Sequence, residues 1–221
     1  MSSIFTSSIG KKFLMSLAGI FLILFLLVHL SINLLVILFD DPMVFNRAAN
    51  FMAGNIVIKV VEIVLFGALL LHVIYALILQ IQNWIARPRR YTKANYSNTS
   101  FFSKFMIHTA LIILTFLVIH FMDFYFRFKF GSAGEIVVNG EVYHDFATEV
   151  VDKFKMLPFV IFYIAAFMFL GFHLIHGFQS AFRTLGLDNR KYTPVVQALG
   201  VIYSVVVVAG FSVIPLVIYF M

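Results

Sequence analysis

Long apolar runs separated by short polar segments dominate the sequence. Five runs are longer than the roughly 20 residues that a helix needs to cross the hydrocarbon core of a bilayer. None of them alternates apolar and polar residues as the strands of a membrane barrel do. The pattern therefore predicts an all-α integral membrane bundle, one membrane domain with five transmembrane helices over about 12–39, 56–85, 102–126, 156–182 and 194–220.

The longest polar connection, residues 127–155, separates the third and fourth predicted helices. Within it, Asn139 and Gly140 lie between apolar β-forming residues, which is the pattern of a hairpin with a two-residue turn. Residues 145–155 follow this hairpin and predict a short helix at the membrane interface.

The basic residues predict the orientation of the bundle. If the N-terminus is cytoplasmic, ten Lys and Arg residues fall inside and six outside, and of the acids only Asp188 is inside. The positive-inside rule then predicts a cytoplasmic N-terminus and an outer C-terminus, which makes the loop 127–155 an outer loop. The predicted inner basic residues are Lys11, Lys12, Arg87, Arg89, Arg90, Lys93, Lys104, Arg183, Arg190 and Lys191.

The composition agrees with a membrane protein and excludes several kinds of chemistry. The chain is 62% hydrophobic and 12% charged, whereas a soluble domain has about 25% charged residues. It has no cysteine, which excludes iron–sulfur clusters held by thiolates and covalent haem attachment through C-x-x-C-H. It also lacks a glycine-rich phosphate loop. The net charge of +6 is explained by cytoplasmic loops, so we predict no nucleic-acid partner.

Histidines inside the apolar runs are the candidate functional residues. Polar residues in spanning helices usually face the bundle and often mark function, although a single one could simply hydrogen-bond a neighbouring helix. Histidines on four successive helices, with no carboxylate beside them, favour haem b held non-covalently by pairs of histidines over a zinc site. Five of the seven histidines lie well within the runs, namely His29, His72, His120, His173 and His176.

Depth along the helices divides these histidines into two groups. At a rise of 1.5 Å per residue, His29 and His120 lie about 16 Å and about 10 Å from the nearest outer polar residue. His72 and His173 lie about 25 Å and about 27 Å from it. This predicts two haems at different heights. His176 lies one turn beyond His173, so spacing alone leaves open which of the two binds iron.

One family shares these features. The five helices, the histidine in each of the first four and the stretch GFHLIHGFQSAF at 171–182 resemble the di-haem cytochrome b membrane-anchor subunit of succinate:quinone oxidoreductases, the succinate dehydrogenases and fumarate reductases. The resemblance covers essentially the whole chain. It implies that His72 and His173 bind the proximal haem iron, that His29 and His120 bind the distal haem iron, and that His176 neighbours the proximal haem.

The resemblance also implies partners and a location. A flavoprotein subunit would oxidise succinate or reduce fumarate, and an iron–sulfur subunit would exchange electrons with the proximal haem. The chain would carry electrons between these subunits and a membrane quinone, menaquinone in view of the two haems. It would be part of an enzyme complex without dehydrogenase chemistry of its own. The expected location is the bacterial inner (cytoplasmic) membrane, with the soluble partners on the cytoplasmic side. The resemblance leaves open whether the complexes form dimers.

Four further polar residues are candidates for the cofactor sites. By family position, Ser16 and Arg183 would neighbour the propionates of the proximal haem, and Lys153 those of the distal haem. Arg183 is equally explained as an ordinary positive-inside anchor. Glu62 is the only carboxylate well within an apolar run. It would either exchange a proton with the quinone near the outer face, or hydrogen-bond a neighbouring helix, or lie at the membrane interface if helix two starts late.

Two other classes of protein make different predictions. Another five-helix, quinol-oxidising di-haem cytochrome, of the nitrate reductase gamma type, would place paired histidines on fewer helices. A haem-free transporter or scaffold would show interrupted helices with polar binding groups at the membrane midplane. The sequence has one histidine in each of several helices and no pair of interrupted helices, which favours the anchor subunit.

Overall fold

The computed structural model describes residues 7–86, 105–130 and 134–221. Within these residues five apolar helices are long enough to cross a membrane, which confirms the predicted all-α membrane bundle. We number them as spanning helices one to five: Ser8–Leu38, Ile56–Ile85, Met106–Phe130, Leu157–Thr184 and Thr193–Phe220.

The predicted helix bounds agree with the observed ones at most ends. Spanning helix two has the predicted bounds, whereas spanning helix three continues one turn further than predicted, to Phe130. The predicted start of that helix at 102 lies outside the described residues. So does the basic connection before it, with Arg87, Arg89, Arg90, Lys93 and Lys104.

The five spanning helices pack unevenly. Helices four and five lie closest together, because Gly171 has no side chain where a Cβ atom would lie 2.6 Å from Val208 Cγ2. Helix two is outermost: it packs mainly along helix one, and none of its described residues is buried. Helix two therefore meets helices three and four through a few long side chains rather than through close backbone packing.

Substitution of Gly171 tests the close packing of helices four and five. We expect Gly171→Ala to destabilise the bundle by about 1–3 kcal/mol, because the added methyl overpacks against a valine with restricted χ1 rotamers. Gly67→Ala is the control, since no described heavy atom lies within 4 Å of its Cβ position. Thermal melting of both variants in one detergent measures the difference. Equal melting temperatures would show that the two helices separate easily at this point.

One end of the bundle is covered by a hairpin and two short helices, and we call it the loop end. The hairpin joins Glu135–Val138 and Glu141–His144 in antiparallel register. Its turn has positive φ at both Asn139 (54°) and Gly140 (85°), as a type I′ turn requires. The predicted hairpin is confirmed, and so is the short helix after it, Phe146–Phe154.

The second short helix, Pro42–Gly54, was absent from the prediction. Its start has recognisable signals, because the Asp41 side chain accepts a hydrogen bond from the Met43 backbone N–H and proline occupies the first helical position. The helix is too short and too polar to stand out in a search for apolar runs. It is held in place by tertiary contacts of its inward-facing side chains.

Asn46 and Asn50 attach this short helix to the rest of the loop end. The fully buried Asn46 donates to Asp145 Oδ1 at 3.0 Å and accepts from the Ala147 N–H at 2.8 Å. Asn50 donates to the His144 carbonyl and accepts from its N–H. Burial alone would raise the pKa of Asp145, but hydrogen bonds from Thr148 and Asn46 hold that pKa below its usual value.

Candidate functional site

Four histidines from spanning helices one to four form two pairs. The ring centroids of His29 and His120 are 5.9 Å apart with an angle of 85° between the ring planes. Those of His72 and His173 are 6.3 Å apart with an angle of 71°. These are the two pairs that depth along the helices had grouped. Their role as haem ligands stays a prediction.

The centroid spacing within each pair is that of two imidazoles sharing one metal ion, and it is also within the range of ordinary edge-to-face ring packing. With metal–nitrogen bonds of about 2.0 Å and ring centroids about 1.1 Å behind each nitrogen, two opposed rings have centroids about 6 Å apart. The described residues contain no group of three or more His, Cys, Asp or Glu side chains that could hold a metal ion. Each pair has two imidazoles, and a haem iron held by two histidines would need that number.

The polar contact of the His72 ring also fits such a group. His72 Nδ1 lies 3.4 Å from the carbonyl oxygen of Met15, which favours the tautomer that leaves the Nε2 lone pair for a metal. Nδ1 of His120 and Nδ1 of His173 are buried without a hydrogen-bond partner among the described residues. Such atoms are rare in folded proteins, and here each pair has one. Each pair therefore has one buried ring nitrogen that makes no hydrogen bond within the described residues.

Aromatic and small residues surround the rings. His29 packs against Phe25 and Phe211, with ring centroids 5.2 Å and 5.7 Å away. Gly19 lies beside His72, where a Cβ atom would meet the imidazole Cε1 at 3.6 Å. Apolar walls of this kind exclude water, and a Cβ atom at Gly19 would be in ordinary van der Waals contact with the ring of His72.

The structure distinguishes His173 from His176. The ring that faces His72 belongs to His173. His176 lies one turn further along spanning helix four and is half-buried. His176 is therefore a neighbour of the His72–His173 pair rather than the partner of His72, and its place beside a haem stays a prediction.

Ser16 and Arg183 lie towards the end of the bundle opposite the loop end. The buried Ser16 hydroxyl donates to the Lys12 carbonyl oxygen of its own helix at 2.9 Å. Arg183 is half-exposed, and its Nε lies 3.5 Å from Asp188 Oδ1. Neither side chain contacts one of the four paired histidines among the described contacts. Their roles beside a propionate stay predictions.

Lys153 has a partner that the sequence did not indicate. Its Nζ donates to Asp123 Oδ1 at 2.7 Å, with little of either side chain exposed. Asp123 follows His120 by three residues and lies in a π-helical turn, Phe121–Tyr125. An acid so close to a candidate ligand is a signal that could have been noticed, whereas the π turn has no signature in the sequence.

Glu62 joins spanning helices two and three. Its Oε1 accepts a hydrogen bond from the Tyr125 hydroxyl and lies 2.9 Å from Lys129 Nζ. Close by, Phe66 of the same helix packs against Phe121 and Tyr125. The geometry is that of a hydrogen bond between neighbouring helices, one of the interpretations of this residue. Proton exchange with a quinone stays a prediction.

The fold and the site together define a class of protein. The described residues form a multi-pass, helical membrane protein with two histidine pairs at two heights of the bundle. No family model, no curated protein and no solved structure matches the chain. The functional argument consequently depends on the residues and their arrangement.

Proposed function

We propose that this chain is the cytochrome b membrane-anchor subunit of a succinate:quinone oxidoreductase, a succinate dehydrogenase or fumarate reductase. In this role it holds two haems b and carries electrons between the soluble subunits and membrane menaquinone. The observation that supports the proposal is the two histidine pairs, one formed by helices one and three and the other by helices two and four. Haem b, when bound, supplies reversible one-electron transfer.

The heights of the two pairs suit electron transfer across the membrane. His29 is nine residues from Leu38 at the loop end, and His72 is 16 residues from Ile56 at the same end. At 1.5 Å per residue these separations are about 14 Å and about 24 Å. The pairs therefore lie one below the other through the bundle. Each pair would supply two histidine ligands to one haem iron, which would suit electron transfer.

The charge distribution supports the orientation that we propose. Spanning helices one, four and five have basic residues at or near their ends opposite the loop end, namely Lys11, Lys12, Arg183, Arg190 and Lys191. Over the whole sequence ten basic residues belong to this side of the bundle and six to the loop end, so by the positive-inside rule this end is cytoplasmic, in the inner membrane of a bacterium. The pair His72–His173 is then the proximal site, which exchanges electrons with the iron–sulfur subunit. The flavoprotein subunit supplies the dehydrogenase chemistry.

The test is the haem content of the chain, purified with the subunits that co-purify from a haem-replete host. We expect a reduced-minus-oxidised spectrum of b type and two haems per chain by pyridine haemochrome. His29→Ala, His120→Ala and the double variant should each lose the same single haem, because the two residues share it. His108→Ala, a histidine near the start of spanning helix three, is the control and should keep both. A wild-type chain without haem would contradict the proposal.

A further inference from the structure

The backbone changes its geometry directly after His120. Spanning helix three is α-helical over Met106–His120, π-helical over Phe121–Tyr125 and α-helical again over Phe126–Phe130. A π turn contains more residues than an α turn and frequently occurs at functional sites. It alters the angular position of every side chain that follows it. Asp123 lies at the centre of this turn.

Asp123 meets two side chains from other helices. Its Oδ1 accepts from Lys153 Nζ at 2.7 Å, and its Oδ2 accepts from the Tyr163 hydroxyl at 3.3 Å. Only 15% of the Lys153 side chain and 16% of the Asp123 side chain are exposed. An unpaired charge with so little exposure would be costly. The pair thus places two opposite, mutually compensating charges in a poorly solvated region.

Tyr163 connects this ion pair to the His29–His120 pair. The tyrosine is 2% exposed, and its ring centroid lies 6.1 Å from that of His120. Its hydroxyl reaches Asp123. The contacts therefore run without interruption from His120 through Tyr163 and Asp123 to Lys153.

We propose that Asp123 and Lys153 are positioning residues that set the electrostatic potential at the His29–His120 pair, and with it the reduction potential of the haem held there. The inference rests on the proposed function. A nearby negative charge favours the oxidised, more positive form of a redox centre, and a positive charge favours the reduced form. These effects are strong where water is excluded. In the wild type the two charges largely cancel.

The expected consequence is that the two single variants shift the potential in opposite directions. Asp123→Asn leaves the positive charge of Lys153 and should raise the potential, whereas Lys153→Gln leaves the negative charge of Asp123 and should lower it. We expect each shift to change the ratio of oxidised to reduced haem about tenfold at a fixed potential, which is about 59 mV for a one-electron couple. The double variant should return close to the wild type.

The experiment is a redox titration of the visible spectrum of the purified, haem-loaded complex. The haem at the loop end is identified as the one that is missing in His120→Ala. The control is Glu149→Gln, because Glu149 lies on the same short helix as Lys153 and forms a more exposed ion pair with Arg127. This control should leave both potentials unchanged, and the variants at Asp123 and Lys153 should leave the potential of the other haem unchanged.

The outcomes separate the inference from the proposed function. If both haems are present and the two single variants shift the potential in the same direction or not at all, the inference is wrong and the proposed function stands. If Asp123→Asn does not retain the haem, Lys153→Gln decides: a lowered potential supports the inference, and an unchanged or raised one overturns it. A wild-type complex without haem overturns both.

Discussion

Replacing His173 by alanine is expected to reduce the haem content from two to one per chain, whereas replacing His176 by alanine leaves it at two. The His173 ring faces His72 with centroids 6.3 Å apart, and its Nδ1 is buried without a partner among the described residues. His176 lies one turn further along the same helix. Pyridine haemochrome quantification on the purified complex measures the effect.

The two variants are matched, because they make the same substitution three residues apart in one helix. His72→Ala is a third variant, which should lose the same haem as His173→Ala and no other. Loss of haem in His176→Ala with retention in His173→Ala would show that the ligand had been assigned one turn too early. Full haem content in all three variants would remove the proximal site from the proposal.

Replacing Glu62 by glutamine is expected to lower the rate of quinol-linked electron transfer by at least about tenfold while both haems are retained. If Glu62 exchanges a proton with the quinone, its amide analogue cannot do so, and positioned acids and bases typically contribute about 10²–10⁴-fold. The glutamine keeps the shape of the side chain and one acceptor oxygen for Tyr125. Steady-state turnover with a short-chain menaquinol analogue, together with the haem spectrum, measures the effect.

Two comparisons separate a role in proton exchange from a role in packing. Tyr125→Phe removes the hydrogen bond to Glu62 but keeps the carboxylate, so its effect on turnover should be smaller. Glu149→Gln removes another carboxylate at the loop end and should leave turnover unchanged. If Glu62→Gln keeps wild-type turnover but melts at a lower temperature, the residue serves only to join spanning helices two and three.

Several features of the structure could be predicted because each has a local physical cause. A bilayer requires about 20 consecutive apolar residues for each crossing, so the spanning helices appear directly as apolar runs. The Asn139-Gly140 turn needs residues that tolerate positive φ, and both residues have it. The rise along a helix is constant, so counting residues was enough to group His29 with His120 and His72 with His173.

Other features depend on contacts between residues that are distant in the sequence. The helix Pro42–Gly54 is positioned by Asn46, whose partners Asp145 and Ala147 lie about 100 positions away. No local sequence pattern predicted the π turn. The ion pair between Asp123 and Lys153 was therefore not predicted either. Residue counting assumed a uniform helix, and the π turn breaks that assumption within spanning helix three.

The choice between His173 and His176 separates what the sequence determined from what the tertiary structure decided. The two are about 60° apart around the helix and about 4.5 Å apart along it, so the sequence determined the height of the site but not the residue that faces His72. Rotation of a helix about its own axis is decided by packing against its neighbours, as where Gly171 meets Val208. The sequence alone determined the number of spanning helices and the heights of their polar groups, because both depend on hydrophobicity and rise per residue. Only the tertiary structure decided which side chains face each other, because that depends on how the helices fit together.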